Sequence, residues 1–145
     1  RRKAAAQHLS SILDMPGGVP EVISYLRRAD VGVLMSTDGE GQSNSIMEYM
    51  ACGLPVVCSE GGGNRELVAD GRTGFVVPAR DPHSLAARLR QLADDRVLAG
   101  SMGEAGRQRI LTDFSADRMG QAAVAVYSEL IAARRDLQSG PASMS

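Results

Sequence analysis

Short apolar runs alternate along this chain with longer stretches of helical periodicity. An apolar run of four to eight residues bounded by turn residues is typical of a buried strand. Runs of this kind predict strands over residues 31–35 and 54–58, and a shorter apolar run after turn residues predicts a third strand over residues 75–77. The pair Ile12 and Leu13 predicts a weak fourth strand, which Pro16 and the glycines after it would end.

Helix signals fill the intervals between these strands. Helices are predicted over residues 20–29, 45–52 and 65–69, and onward from residues 81, 97 and 115. The strongest start is Asp81 followed by Pro82, an N-cap acceptor before proline at the first helical position. Gly53 is the expected C-cap of the second helix. Glycines at 100, 103 and 106 weaken the helix predicted from residue 97.

This alternation predicts an α/β fold, a Rossmann-like parallel sheet flanked by helices. Ligands bind such sheets at the carboxyl ends of the strands. Three loops follow strands here, at residues 36–44, 59–63 and 78–81, and the first two are rich in glycine and small polar residues. We therefore expect the functional site at these loops.

Composition narrows the classes of function. The chain has 145 residues, a length typical of one domain, and 43% of them are hydrophobic. A net charge of -1, with three Tyr, two Phe and no Trp, predicts no nucleic-acid partner. No apolar run has the roughly 18 residues that a membrane span needs. Residues 1–137 are predicted to form one domain and residues 138–145 a disordered tail.

The two cysteines, Cys52 and Cys58, have neither a disulfide-framework spacing nor a zinc-site spacing. Both lie among apolar residues and are expected to pack as small hydrophobic side chains. No other cluster of ligating side chains stands out, so no metal site is predicted.

The loop after the first buried strand leads through glycines into a helix. Backbone N–H groups in the first turn of a helix lack partners and favour anions, phosphate above all. Gly39 and Gly41 allow close approach to the backbone, and Ser43, Asn44 and Ser45 add short polar side chains. This segment is predicted to hold a diphosphate without a lysine.

Two carboxylates flank this predicted diphosphate-binding segment, Glu40 in the loop and Glu48 in the helix. A carboxylate accepts two hydrogen bonds side by side, which suits the vicinal diol of a ribose or a hexose. A nucleotide-sugar carries a diphosphate and vicinal diols, so its binding site requires both the amide donors and the carboxylates. Two alternatives remain: Glu48 can instead close a capping box with Ser45, and Glu40 can simply be solvated.

The second loop carries three consecutive glycines, Gly61, Gly62 and Gly63. They do not form a dinucleotide-binding fingerprint, because its third glycine falls on Glu66. No lysine follows them, which excludes a P-loop. Turn formation is their expected role, and they could also line the same crevice.

Several motifs in fixed order resemble one family. The segment EGQSNSIME, residues 40–48, has the E-x7-E spacing of retaining glycosyltransferases with the GT-B fold, the family-4 type or glycosyl transferases group 1. RADVGVLMS precedes it, and YMACGLPVV and GGNRELVADGRTGFVVP follow it. The resemblance extends over residues 12–131 and indicates the nucleotide-sugar-binding, C-terminal domain of such an enzyme.

The resemblance implies roles for individual residues. Glu40 matches the glutamate that contacts donor-sugar hydroxyls and supports catalysis, and Glu48 matches the one that holds the ribose. The turn at residues 15–17 matches a segment that contacts the base. The loop that contacts the donor sugar and diphosphate corresponds to Gly41, Gln42, Ser43, Asn44 and Ser45.

The same resemblance implies partners and location. Members transfer sugar from a nucleotide-sugar, most often a UDP-sugar, to a saccharide or lipid-linked acceptor, with no metal or other cofactor. They are cytoplasmic, and peripheral association with the inner membrane face is an expected variation. An acceptor-binding N-terminal domain and the basic residues that neutralise the diphosphate are missing from this sequence, whose single lysine is Lys3. We therefore expect the fragment alone to be inactive in transfer.

In the family the last helix packs on the N-terminal domain. Its face with Met119, Val126 and Ile131 is therefore expected to be exposed in this chain. Other functions remain open: a related GT-B nucleotide-sugar epimerase, a non-catalytic nucleotide-sugar-binding or scaffold subunit, and a receiver-like signalling module.

Overall fold

The computed structural model describes residues 11–37 and 41–138 of the chain. Helices and strands alternate as the hydrophobic pattern predicts. The helices are α1 (Val22–Leu26), α2 (Asn44–Ala51), α3 (Asn64–Leu67), α4 (Pro82–Asp94), α5 (Arg96–Asp113) and α6 (Ala116–Gln138). The strands are β1 (Gly32–Leu34), β2 (Val56–Ser59) and β3 (Gly74–Val77).

The three strands form one parallel sheet in the order β1-β2-β3. Val33 lies beside Val57, and Val57 lies beside Phe75. All four residues of β2 are buried, as expected for a central strand covered on both faces. The predicted α/β, Rossmann-like architecture is therefore confirmed.

Alternate residues of β2 face two separate hydrophobic layers, because successive side chains of a strand point to opposite faces. Val56 and Cys58 pack with Ile46 and Met50 of α2. Val57 packs on the other face. The residues that join it there are Phe75, Val77, Leu92, Ala99 and Met102.

Burial also determines the chemistry of one thiol. Cys58 is fully buried, and desolvation raises the pKa of its thiol to about 11. Its predicted role as a small core hydrophobe is confirmed, whereas Cys52 is only half-buried at the end of α2. Because the thiolate is the nucleophilic form of cysteine, this burial disfavours reactivity of Cys58 at neutral pH.

The weak strand predicted at Ile12 and Leu13 is wrong. These residues lie in a turn and an irregular segment, and Ile12 is 75% exposed. A two-residue apolar run has too little surface to bury against a sheet, and strands are stabilised by pairing with a neighbour. Of the predicted tail, Gln138 is the last residue of α6, and the remainder lies outside the described residues.

Helix α5 forms although glycine has a low helix propensity, and one of its glycines is required for packing against α2. A Cβ added at Gly103 would lie 2.0 Å from the carbonyl oxygen of Gly53, so this glycine lets α5 approach the end of α2. Gly100 has open space around it. Asp95 caps the helix by accepting a hydrogen bond of 2.8 Å from the N–H of Leu98.

Helix α6 leaves apolar side chains exposed, as predicted. Met119 is 70% exposed, Val126 56% and Ile131 53%. No helix in the part of the chain that the structure describes is both long enough and apolar enough to span a membrane.

Asp81 caps α4 as the Asp-Pro signal predicts. Its carboxylate accepts hydrogen bonds from the N–H groups of His83, at 3.0 Å, and Ser84, at 3.1 Å, and from the Ser84 hydroxyl. These bonds, the Ser84 hydroxyl first, hold the pKa of Asp81 below its ordinary value of 3.8. A lowered folded-state pKa stabilises the protein above the ordinary value, and this contribution is lost as pH falls through the folded-state pKa.

We therefore expect Asp81→Ala to lower the midpoint of thermal unfolding near pH 7, by removing the cap. The difference from wild type should shrink as the pH falls below 3.8. Thermal unfolding followed by circular dichroism between pH 3 and 7 tests this. Asp94→Ala is the control, since the Asp94 side chain makes no capping bond at the other end of α4. An unfolding difference for Asp81→Ala that does not depend on pH would contradict the expectation.

Candidate functional site

The carboxyl ends of all three strands are joined directly. The Ser36 N–H donates to the Ser59 hydroxyl at 3.0 Å, and that hydroxyl donates to the Ser36 carbonyl at 2.8 Å. The Glu60 N–H donates to the Val77 carbonyl at 2.8 Å. The three loops singled out from the sequence therefore begin at one edge of the sheet, which is where a parallel α/β fold binds its ligands.

Helix α2 begins at this edge. Its N-cap is Ser43, whose carbonyl accepts the first helical hydrogen bond from the Met47 N–H at 3.2 Å. The N–H groups of Asn44, Ser45 and Ile46 precede that bond and have no carbonyl within the helix to pair with. Three amide donors and the positive end of the helix dipole therefore meet the loop, as an anion site requires.

Two of the sequence-predicted residues in this segment differ in exposure. Ser43 is buried, whereas Gly41 is exposed and a Cβ added there would meet nothing within 4 Å. The backbone at Gly41 is thus open to a ligand.

Glu48 lies at the fifth position of α2, not at the third. The capping box with Ser45 is therefore wrong, because it needs the glutamate three residues after the N-cap and the N-cap is Ser43. The Glu48 side chain is exposed, and no described residue makes a hydrogen bond or ion pair with it. With about 1.5 Å of rise per residue, it lies roughly 6 Å along the axis from Asn44. The carboxylate is free to accept hydroxyl groups beside the amide donors.

The glycine-rich segment before α3 supports this loop. Gly61 and Gly62 have φ angles of 147° and 49°, which residues with a Cβ rarely adopt. The predicted role of these glycines as turn residues is thus confirmed. Asn64 stabilises the turn by donating to the Ser59 carbonyl at 3.0 Å.

A polar pair joins the same segment to the loop before α2. The side-chain amide of Gln42 donates to a carboxylate oxygen of Glu66 at 3.1 Å. Nothing in the local sequence predicts this contact of Glu66, since the two residues lie 24 positions apart.

A cationic side chain that is not among the predicted site residues, Arg80, also lies at this edge. Arg80 follows β3 with a φ of 63°, a conformation that is uncommon for a residue with a Cβ. It lines a cavity of about 230 Å³, with Met35 and Thr37 from the loop after β1 and Leu85 of α4. The strand-end loop at residues 78–81 therefore does contribute to a concave surface.

Two further predictions concern the catalytic role of Glu40 and the absence of a metal site. Glu40 and Gly39 lie outside the described residues, so the catalytic role assigned to Glu40 stays a prediction. Within residues 11–37 and 41–138, no group of three His, Cys, Asp or Glu side chains could hold a metal ion.

Residues 1–95 match the family model of glycosyl transferases group 1. The chain belongs to this family. The group 1 assignment agrees with a curated relative, a protein named putative colanic acid biosynthesis glycosyltransferase WcaL of Salmonella typhimurium. It is 39% identical over 115 residues, which cover 74% of this chain and 28% of that protein. The chain thus spans about a quarter of the length of its curated relatives.

Solved structures of other proteins show the same fold. Sucrose-phosphate synthase from Thermosynechococcus elongatus superposes with a TM-score of 0.83 at 28% identity, covering 91% of this chain and 33% of its own. HepE of Anabaena, solved in complex with UDP, superposes with a TM-score of 0.85 at 22% identity, covering 88% and 35%. These likenesses confirm the expected Rossmann-like domain of the GT-B type.

Proposed function

We propose that this group 1 domain binds the nucleotide-sugar donor of a retaining glycosyltransferase, of the family-4 type. One observation carries the proposal: within residues 11–37 and 41–138, the carboxylate of Glu48 has no partner and stands one helical turn from the amide groups that begin α2, at the edge where the three loops meet. Amide groups without partners suit a diphosphate, and a free carboxylate suits a diol. A nucleotide-sugar carries both groups within one molecule.

The proposed geometry assigns the parts of the donor to the chain. The diphosphate lies against the backbone of residues 41–45, and the ribose hydroxyls bind Glu48. A uridine nucleotide is the expected donor, which agrees with the structures of HepE solved with UDP and with UDP-glucose. In the complete enzyme, Glu40 contacts the sugar and supports hexosyl transfer without a metal.

The remaining parts of the activity belong to the longer enzyme of which this domain is a part. A separate N-terminal domain binds the saccharide or lipid-linked acceptor. Transfer then takes place in the cytoplasm, with peripheral association at the inner membrane face. Because acceptor binding resides in the other domain, the 145-residue chain binds donor without transferring its sugar.

Isothermal titration of the chain with UDP-glucose, UDP and inorganic phosphate tests this function. We expect UDP and UDP-glucose to bind at one site with similar affinity, since both present a diphosphate and a ribose. Inorganic phosphate should bind far more weakly, because it lacks the diol for Glu48. GDP-mannose and ADP-glucose then determine which base is preferred. If none of the nucleotides binds at millimolar concentration, the proposal of a donor domain is wrong.

A further inference from the structure

The loop that carries the proposed diphosphate contacts rests on the glycine-rich segment before α3. We propose that Glu66 is a positioning residue that holds this loop through Gln42. The proposal rests on the proposed function for its consequence in donor binding, although the contact itself does not depend on any ligand. Two contacts support it: the hydrogen bond between the Gln42 and Glu66 side chains, and the close approach of the Gly63 backbone to Gln42.

The loop before α2 and helix α3 are joined first through their side chains. The Gln42 side-chain amide donates to a carboxylate oxygen of Glu66 at 3.1 Å. Gln42 directly precedes Ser43, the N-cap of α2. A hydrogen bond at Gln42 therefore acts on the loop immediately before the three free amide groups.

The backbones of the two segments are also in close contact. A Cβ added at Gly63 would lie 3.0 Å from both the Gln42 nitrogen and its Cγ atom, and 3.1 Å from its Cα atom. The loop backbone thus lies directly against the backbone of the glycine segment. Glycine at 63 allows this approach, and the Gln42–Glu66 bond closes it on the solvent side.

A third contact holds Glu66 itself. Arg109 of α5 donates from Nη2 to the Glu66 carbonyl at 2.7 Å and from Nε to the Leu67 carbonyl at 3.0 Å. Its guanidinium also lies 5.6 Å from the ring centre of Phe114. The short helix α3 is therefore tied at its carboxyl end to the long helix α5, and Glu66 is a fixed support.

These contacts give Glu66 a role distinct from binding a ligand. A loop held in its binding conformation loses less conformational entropy when the ligand binds, so its affinity is higher. The Gln42 bond needs an oxygen acceptor at residue 66, but it does not need a negative charge there. A direct contact to a sugar hydroxyl or to a cation would depend on the charge.

The test is a set of four variants: Glu66→Ala, Glu66→Gln, Gln42→Ala and the double variant of Gln42→Ala with Glu66→Ala. Amide hydrogen exchange of Met47, whose N–H donates to the Ser43 carbonyl at the end of the loop, reports on the loop in the unliganded chain, and titration with UDP-glucose reports on binding. We expect Glu66→Ala to speed exchange and to raise the Kd for UDP-glucose, each by about three- to tenfold. Gln42→Ala should change the exchange rate and the Kd by the same factors. The double variant should show no larger change in either quantity than the single variants do.

Glu66→Gln distinguishes positioning from direct contact, because glutamine retains the acceptor oxygen. We expect its exchange rates and Kd to stay within about twofold of wild type. Glu60→Ala is the matched control, since it breaks the Arg65–Glu60 ion pair of 2.9 Å in the same segment without touching the loop. Thermal unfolding of every variant shows whether the global stability has changed.

The outcomes separate this inference from the proposed function. If Glu66→Ala leaves exchange at Met47 unchanged, the positioning role is wrong, even when wild type binds UDP-glucose. If Glu66→Gln weakens binding as much as alanine does, Glu66 contacts the ligand and the inference is again wrong. If exchange responds as expected but wild type binds no nucleotide, the positioning role holds and the proposed function fails.

Discussion

Replacing Glu48 with alanine should raise the Kd of this chain for UDP by about 10- to 100-fold, the range expected when a charged group loses its hydrogen bonds to a ligand. The carboxylate makes no hydrogen bond or ion pair within the described part of the chain. It is exposed on α2, so its removal breaks no contact of the fold. Isothermal titration with UDP measures the effect, and thermal unfolding should show that the midpoint is preserved.

The structure makes this variant more informative than the sequence suggested. Had Glu48 closed a capping box, alanine would destabilise α2, and weaker binding would follow from unfolding. Since the N-cap is Ser43, that explanation does not apply. Glu104→Ala is the control, because Glu104 is also an exposed glutamate within a helix. A Glu48→Ala variant that binds UDP as tightly as wild type would show that this carboxylate does not hold the ribose.

Replacing Gly103 with alanine should destabilise the domain by about 1–3 kcal/mol, the usual cost of overpacking. The added methyl group would lie 2.0 Å from the Gly53 carbonyl oxygen and 3.4 Å from Cδ of Pro55. A backbone carbonyl has no rotamer by which it can move aside. Helices α2 and α5 must therefore separate, and this exposes the buried side chains of Met50 and Met102. Urea unfolding followed by circular dichroism gives the free energy.

Gly100→Ala is a control within the same helix. Nothing lies within 4 Å of a Cβ at Gly100, so alanine there should stabilise the protein by about 1 kcal/mol, through helix propensity alone. The two substitutions add the same methyl group to the same helix, and their effects should have opposite signs. Equal stabilisation by both would mean that the close approach of α5 to Gly53 does not exist in solution.

Local chemistry was sufficient to predict much of the candidate site. Glycines and short polar residues after a buried strand, followed by a helix, predicted free amide donors in the first turn of that helix, and α2 begins at Asn44 in this segment. The motif spacing singled out Glu48 as an acceptor for a diol. The same local pattern wrongly favoured Ser45 as the N-cap, because Ser43 and Ser45 are both good caps and neither makes a side-chain capping bond in the structure. The first turn was therefore misplaced by two residues.

The hydrogen bonds that hold the loops of the site in place could not be predicted, because they join segments that are distant in sequence. Gln42 meets Glu66, Arg109 meets the carbonyls of Glu66 and Leu67, and Ser36 meets Ser59. Each of these residues is ordinary in its local context. Arg80 is similar, because its positive φ follows from the turn between β3 and α4 and not from residue type.

The sequence by itself determined the α/β class, the order of the strands and helices, the parallel sheet and the edge that carries the loops. Those features depend on hydrophobic period and on capping and turn residues, which act within a few residues of one another. The tertiary structure decided that residues 12 and 13 form no strand, that α5 retains its glycines to approach Gly53, and that Glu48 is free of a capping role. It also decided which side chains support the loop before α2. These features depend on close packing between distant segments, and only the folded chain brings those segments together.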